Sequence, residues 1–278
     1  MKNTGKRLIL FVVAIPAIGA VVLFLPHLGH LAVIVILTAV GVLCGIELRA
    51  MLKDTAPPLP VWSAALPGLV PGLAWTINMG WIPESIASAA LIVAVAWALS
   101  DAAFAKENDL GRGFARMSSR LLMVMYPGWL LWWTARLTWF ENAGPILLFF
   151  ALAVFLNDSA AWLFGVFLGR RRGLFAVSPK KSLEGFLGGF LGSAAVVIGS
   201  SFLFPDLLPH PLWQLVAFSV VIAAATFLGD LTESALKRAV GVKDSGRVIL
   251  GRGGMLDSVD SLLFTAPFFV FFFLARGV

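Results

Sequence analysis

Long apolar stretches separated by short polar connections repeat from one end of this chain to the other. Because about 20 apolar residues in a helix cross the hydrocarbon core of a bilayer, the pattern predicts about nine transmembrane helices. They fall at Leu8–Leu25, Leu31–Leu48, Val61–Met79, Ile86–Phe104, Leu121–Leu137, Ile146–Leu168, Phe186–Phe204, Leu215–Leu231 and Leu262–Leu274. The third contains Pro67 and Pro71 and the ninth is short, so these two have the least defined ends. The expected fold is an all-α integral membrane protein, a polytopic bundle forming one membrane domain over residues 1–278. Its N-terminal helices occupy 1–140, and the polar segments concentrate in 141–278.

Charge placement sets an orientation, because cytoplasmic connections carry the excess of Lys and Arg. Lys2, Lys6 and Arg7 precede the first span; Arg49 and Lys53 follow the second; Lys106, Arg112, Arg116 and Arg120 follow the fourth. Arg170, Arg171, Arg172, Lys180 and Lys181 follow the sixth, and Lys237, Arg238, Lys243, Arg247 and Arg252 follow the eighth. The alternate connections, around residues 26–30, 80–85, 138–145 and 205–212, hold neither Lys nor Arg. With an odd number of spans this gives an N-inside, C-outside topology. The basic start resembles a signal peptide, but its apolar stretch is long enough to span, and an uncleaved first helix is expected.

Composition agrees: 59% of residues are hydrophobic and 13% charged, with a mean hydropathy of +0.92, values that exclude a soluble globular domain. The net charge of +6 is explained by the cytoplasmic connections and needs no nucleic-acid partner. A single cysteine, Cys44, forbids an intramolecular disulfide, and His27, His30 and His210 are scattered in connections rather than gathered as metal ligands.

Ionisable groups inside spans are expensive and point to function. Asp158, beside Asn157, lies deep in the sixth span; Asp230 closes the eighth; Asp257 and Asp260 introduce the ninth in GRGGMLDSVDS. Residues three apart share a helix face, so Asp257 and Asp260 can grip one divalent cation, and hard carboxylate oxygens suit Mg²⁺ together with waters and a phosphate. Plainer readings stand beside this one. Asp257 can cap the last helix, Asp230 can pair with Lys237 or Arg238, and Asp158 can serve a buried hydrogen bond or a proton path. Three cytoplasmic segments, around 170–185, 230–247 and 251–260, nevertheless combine cations, carboxylates and glycines on one membrane face. Cations neutralise phosphates and glycine turns bring backbone N–H groups up to them, so phosphoryl or nucleotidyl transfer is the chemistry that unites them. In EGFLGGFLGS, Gly185, Gly188, Gly189 and Gly192 recur at helical spacing and predict close helix packing rather than a phosphate cradle.

The segment SALKRAVGVKDSGRVILGRGGMLDSVDSLLFTAP resembles the C-terminal signature of the CDP-diacylglycerol synthases, the phosphatidate cytidylyltransferases, without a gap. Ser234, Lys237, Arg238, Lys243, Asp244, Gly253, Gly254, Asp257, Asp260 and Ser261 carry the match. FLNDSAAWLFG, SPKKSLEGFLGG and FLGDLTES are similar to three further segments of that family, in the same order. The chain departs from the pattern at Leu250 (proline in the family), Arg252 (histidine), Ser258 (arginine), Ser159 (threonine) and Ala160 (glycine).

The resemblance implies that CTP and phosphatidic acid are converted to CDP-diacylglycerol and pyrophosphate with Mg²⁺, a second cation being an open alternative. It implies Asp230, Asp257 and Asp260 as metal ligands, and these with Lys237 as catalytic residues. Ser178, Lys180, Lys181, Arg238, Lys243, Asp244, Asn157, Asp158 and Arg252 are implied as substrate-binding, Arg252 restoring the cation lost at Ser258. The expected setting is a bacterial inner membrane with the site facing the cytoplasm; a homodimer is open. Three alternatives are a CTP-dependent polyprenol or phytol kinase, an ion-coupled transporter working through Asp158, and a diverged paralogue with altered substrate or no turnover.

Overall fold

The structure is a computed structural model that describes residues 15–208, 211–249 and 253–275. Lys2, Lys6, Arg7, the start of the first expected span, His210, Leu250 and Arg252 lie outside them. The described residues are helical, with two isolated antiparallel bridges, Arg172 to Ser182 and Ile249 to Gly253, and no named strand. Six of the described helices are long and apolar enough to cross a membrane, and the chain is a polytopic helical membrane protein. The chain forms two compact units, Met1–Trp139 with Ala239–Ser258, and Phe140–Arg238 with Val259–Val278.

The first unit contains α1 (Ile15–Phe24), α2 (His27–Leu52), α3 (Leu66–Asn78), α4 (Ser85–Ala103), α5 (Leu110–Met123) and α6 (Leu130–Arg136). The third expected span is not one helix: a 3₁₀ turn, Val61–Ala65, precedes α3, which is only 13 residues long. The fifth is likewise divided, because Pro127 cannot continue an ordinary hydrogen-bond ladder and a π-helical turn, Val124–Trp129, absorbs it between α5 and α6. In lipid, helices gain little from hiding apolar surface against one another, so close backbone approach supplies the packing. Gly41 rests on the Pro67 backbone, where a Cβ would stand 2.7 Å from the carbonyl, and Gly45 rests on the carbonyl of Ala64. Charges are paired: Asp101 binds Arg120 at 2.8 Å and Arg116 at 3.4 Å, and Arg136 binds Glu84 while stacking over Trp139.

The second unit is built on α7 (Ala143–Phe167), α8 (Leu183–Leu203), α9 (Leu212–Ala239) and most of α10 (Leu256–Leu274). The expected glycine stripe packs as read. A Cβ at Gly185 would stand 2.9 Å from the Ala161 carbonyl oxygen, one at Gly189 3.1 Å from Asn157, and one at Gly192 2.6 Å from the Leu156 carbonyl oxygen; Gly188 lies on Phe164. Phe149, Phe150, Phe218, Phe269, Phe272 and Phe273 interlock in tilted, edge-on and stacked pairs between α7, α9 and α10. Next to them Gly229 of α9 meets α10, a Cβ there standing 2.8 Å from the Asp260 carbonyl oxygen, and Thr226 and Thr265 share a hydrogen bond of 3.2 Å. Two expectations are corrected. Asp230 does not close its span, since α9 continues to Ala239; and the last span is not short, since α10 has 19 residues and begins before Asp257.

We predict that Gly192→Leu lowers the thermal midpoint of the detergent-purified protein by an amount matching an overpacking cost of about 1–3 kcal/mol. Gly199→Leu, on the same helix with nothing within 4 Å of a new Cβ, leaves it unchanged. Equal midpoints for the two variants would remove the close α7–α8 contact as a source of stability.

Candidate active site

In the second unit, the crossing at Gly229 places α9 against the first turns of α10. Asp260 of α10 is buried, 7% exposed, and its Oδ1 accepts from the Ser261 amide at 2.7 Å. It lies within electrostatic reach of Asp230, Asp158 and Lys237. Carboxylates this close oppose each other's ionisation unless cations answer them. Two lysines do so. Lys181 reaches Asp230 Oδ2 at 2.7 Å and lies over the ring of Phe227 at 4.4 Å from its centroid. Lys237 belongs to the Asp260 surroundings and also pairs with the fully buried Glu233, one helical turn away. Asp230 therefore pairs with Lys181 rather than with Lys237 or Arg238, and Lys237 has its own acid.

The loop carrying Lys181 is folded by its backbone. The Lys181 amide donates to the Ser178 carbonyl and the Gly173 amide to the Pro179 carbonyl, so Ser-Pro-Lys-Lys is a tight turn. Ser182 caps α8, its Oγ accepting from the Gly185 amide at 3.1 Å. Glu184 accepts from the amides of Arg170 and Arg171 at 3.1 and 3.2 Å, tying the basic loop to the same helix start. Lys180 remains exposed. Asn157 is turned to helix packing, donating from Nδ2 to Ser193 Oγ at 2.8 Å.

In the first unit, Ile249 and Gly253 exchange backbone hydrogen bonds of 2.8 and 3.2 Å, with Gly253 at a φ of +116° that a side chain would strain. This bridge comes just before the start of α10. A helix leaves its first four N–H groups without internal partners. Here Asp257 Oδ2 accepts from the amides of Gly254 (2.7 Å) and Ser245 (2.8 Å) and from Ser245 Oγ (3.0 Å). Glu47 of α2 takes the next two, Oε1 accepting from Met255 at 2.8 Å and Oε2 from Leu256 at 2.9 Å. The Asp257 amide donates to Ser245 Oγ at 3.3 Å. The amides of Gly254, Met255 and Leu256 thus all face carboxylates. Lys243 and Asp244 are exposed in the preceding segment, and Arg238 is exposed at the end of α9. Ser258, one of the positions that depart from the resembled signature, bonds back to the Gly254 carbonyl at 3.1 Å.

Glu47 was missed by sequence reasoning. Its signal was present, a lone acid near the end of a long apolar helix.

Among the described residues no three His, Cys, Asp or Glu side chains gather as a metal-holding group. Asp230 and Asp260, two hard carboxylates with phosphate-type cations beside them, fit a Mg²⁺ that completes its shell with water and substrate oxygens.

Comparison with known proteins agrees with this chemistry. Residues 5–275 match the model of the cytidylyltransferase family. A protein of Escherichia coli named uncharacterized protein YnbB is 43% identical over 132 residues, 47% of this chain and 43% of that protein. Phosphatidate cytidylyltransferases of Staphylococcus epidermidis and Staphylococcus aureus are 42% and 40% identical over 121 residues, 44% of this chain and 46% of theirs. The matched stretch spans less than half the length of each relative. With the family match running over nearly its whole length, the chain belongs to the cytidylyltransferase family.

Proposed function

We propose that this protein transfers the cytidylyl group of CTP to the phosphate of phosphatidic acid, giving CDP-diacylglycerol and pyrophosphate at the cytoplasmic face of a bacterial inner membrane. The observation that carries the reading is the grouping of Asp260, Asp230 and Asp158 with Lys181 and Lys237 in a family whose named activity is cytidylyl transfer. A phosphate oxygen of the lipid forms a bond to the α-phosphorus of CTP as the bond to the β-phosphate oxygen breaks, and the electron pair leaves with pyrophosphate. The nucleophile is already an anion, so no general base is needed, and the residues act by suppressing repulsion and holding the two phosphates in line.

Asp230 and Asp260 would hold Mg²⁺, which when bound offsets phosphate charge and draws electron density from the reacting phosphorus. Lys181 and Lys237 compensate the carboxylates before substrate arrives and turn toward phosphate oxygens when it does. Lys180, with Arg170 and Arg171 on the adjoining loop, draws the nucleotide to the membrane surface. Asp257 is assigned to the turn, since its Oδ2 already accepts three hydrogen bonds. Ser178 shapes the lysine turn, Asn157 fixes α7 on α8, and Arg238 stays among the proposed substrate-binding residues, while Lys243, Asp244 and Arg252 are carried by the resemblance alone.

The test is pyrophosphate release from CTP by the detergent-purified protein with Mg²⁺, with and without phosphatidic acid. We expect lipid-dependent release with a CDP-lipid product, lost with EDTA and restored by Mg²⁺. Release of CDP with a phosphorylated alcohol would replace this reading by a kinase, and CTP binding without turnover by a diverged paralogue.

We further predict that Asp260→Asn and Asp230→Asn each cut turnover by about 10²-fold or more, the scale of losing an electrostatic stabiliser in a dry site. Lys181→Met raises the CTP or lipid KM as well, because it removes a phosphate partner and leaves Asp230 unanswered. Turnover within twofold of wild type for both aspartate variants would sink the assignment of this cluster as the active site.

A further inference from the structure

Glu47 is nearly inaccessible, 4% exposed, on a helix otherwise apolar over most of its length. Both of its oxygens are engaged by groups roughly 200 residues away in sequence: the amides of Met255 and Leu256, and Ser245 Oγ at 3.0 Å. A second, independent observation comes from two glycines. A Cβ at Gly246 would run into the Glu47 carboxyl, its Cδ only 2.7 Å away, and a Cβ at Gly254 would run into both Glu47 Oε2 and Ser245 Oγ. The segment is thus shaped around this one side chain. Ser245 Oγ stands 3.0 Å from Glu47 Oε2 and 3.0 Å from Asp257 Oδ2, so one hydroxyl links the two carboxylates that hold the start of α10.

We propose that Glu47 is a positioning residue for cytidylyl transfer: from α2 it fixes where α10 begins, and through that helix the placement of Asp260 one turn further along. The inference rests on the function proposed above, but the hold itself does not. A helix start with two amides facing a carboxylate is pinned, whereas the same start facing an amide nitrogen has a donor pointing at a donor. Glu47→Gln keeps the side chain's size and creates that clash, so it changes the hold and little else.

The experiment is hydrogen–deuterium exchange by mass spectrometry on the full-length protein in detergent, comparing wild type, Glu47→Gln and Ser245→Ala, with steady-state kinetics on the same samples. In Glu47→Gln, peptides spanning 243–258 should exchange on the order of tenfold faster, the scale of losing one hydrogen bond to a charged group, while peptides from α8 keep the wild-type rate. Per folded molecule, kcat should fall by about tenfold with little change in KM for either substrate, because binding groups remain and alignment is lost. Ser245→Ala should show the same pattern more weakly, and it carries the test if Glu47→Gln does not fold. Wild-type exchange over 243–258 in the variants, or faster exchange spread evenly over the chain, would overturn the proposal. So would a kcat loss that only tracks the folded fraction. If the wild-type protein releases no pyrophosphate, cytidylyl transfer is what fails, and the exchange comparison still decides whether Glu47 holds the turn.

Discussion

A helix that begins buried in protein must have its first amides met by protein, because no water reaches them and an unmet buried group costs about 1–3 kcal/mol. At the start of α10 this requirement is met by three side chains: Asp257 from the helix itself, Ser245 from the preceding segment and Glu47 from α2. The arrangement accounts for several otherwise separate sequence features. Gly253 is needed for its backbone angle, while Gly246 and Gly254 are needed because carboxylates occupy the space a side chain would take. Asp257 is needed as an acceptor. Part of this motif therefore seats a helix.

The same economy governs charge further along. Burying a carboxylate unanswered is costly, and breaking a buried pair costs more than forming it contributes. Glu233 with Lys237 answers that requirement, whereas Asp230, whose side chain is 43% exposed, pairs with Lys181 at an open position. A lysine that leaves its carboxylate for a phosphate exchanges one anion for another, and the vacated carboxylate is then available to a divalent cation. In the reaction proposed above, phosphate and metal would each replace one partner of the Asp230–Lys181 pair without stranding the other.

Features governed by short-range sequence were legible. The long apolar helices follow from run length, and the contact of α7 with α8 followed from glycines at helical spacing, which dictate close approach whatever the partner. Features governed by distant partners were not. The helix-end position expected for Asp230 and its pairing with Lys237 or Arg238 rested on proximity in sequence, yet its partner is Lys181, held there by the turn before α8. Glu47 was passed over for the same reason, since its hydrogen-bond partners lie 198 to 209 residues away. The divided third and fifth spans reflect a different limit. Hydropathy registers Pro71 and Pro127 as apolar enough, but only the hydrogen-bond ladder shows whether a proline is absorbed within a helix, as at Pro71, or in a π-helical turn, as at Pro127.

The departure at Ser258 can be placed on the same physical footing. An arginine at this position, as in the resembled signature, would project a long cation from the first turn of α10, where the backbone N–H groups already favour anions. The serine here bonds instead to the Gly254 carbonyl within its own turn, adding a local tie to a helix start that Glu47 and Asp257 already hold. Asp257 and Glu47 accept here from the backbone amides of Gly254, Ser245, Met255 and Leu256 and from the Ser245 hydroxyl, which suits their use as helix anchors. Lys181 and Lys237, the cations of the reaction proposed above, stand beside the aspartates of the second unit.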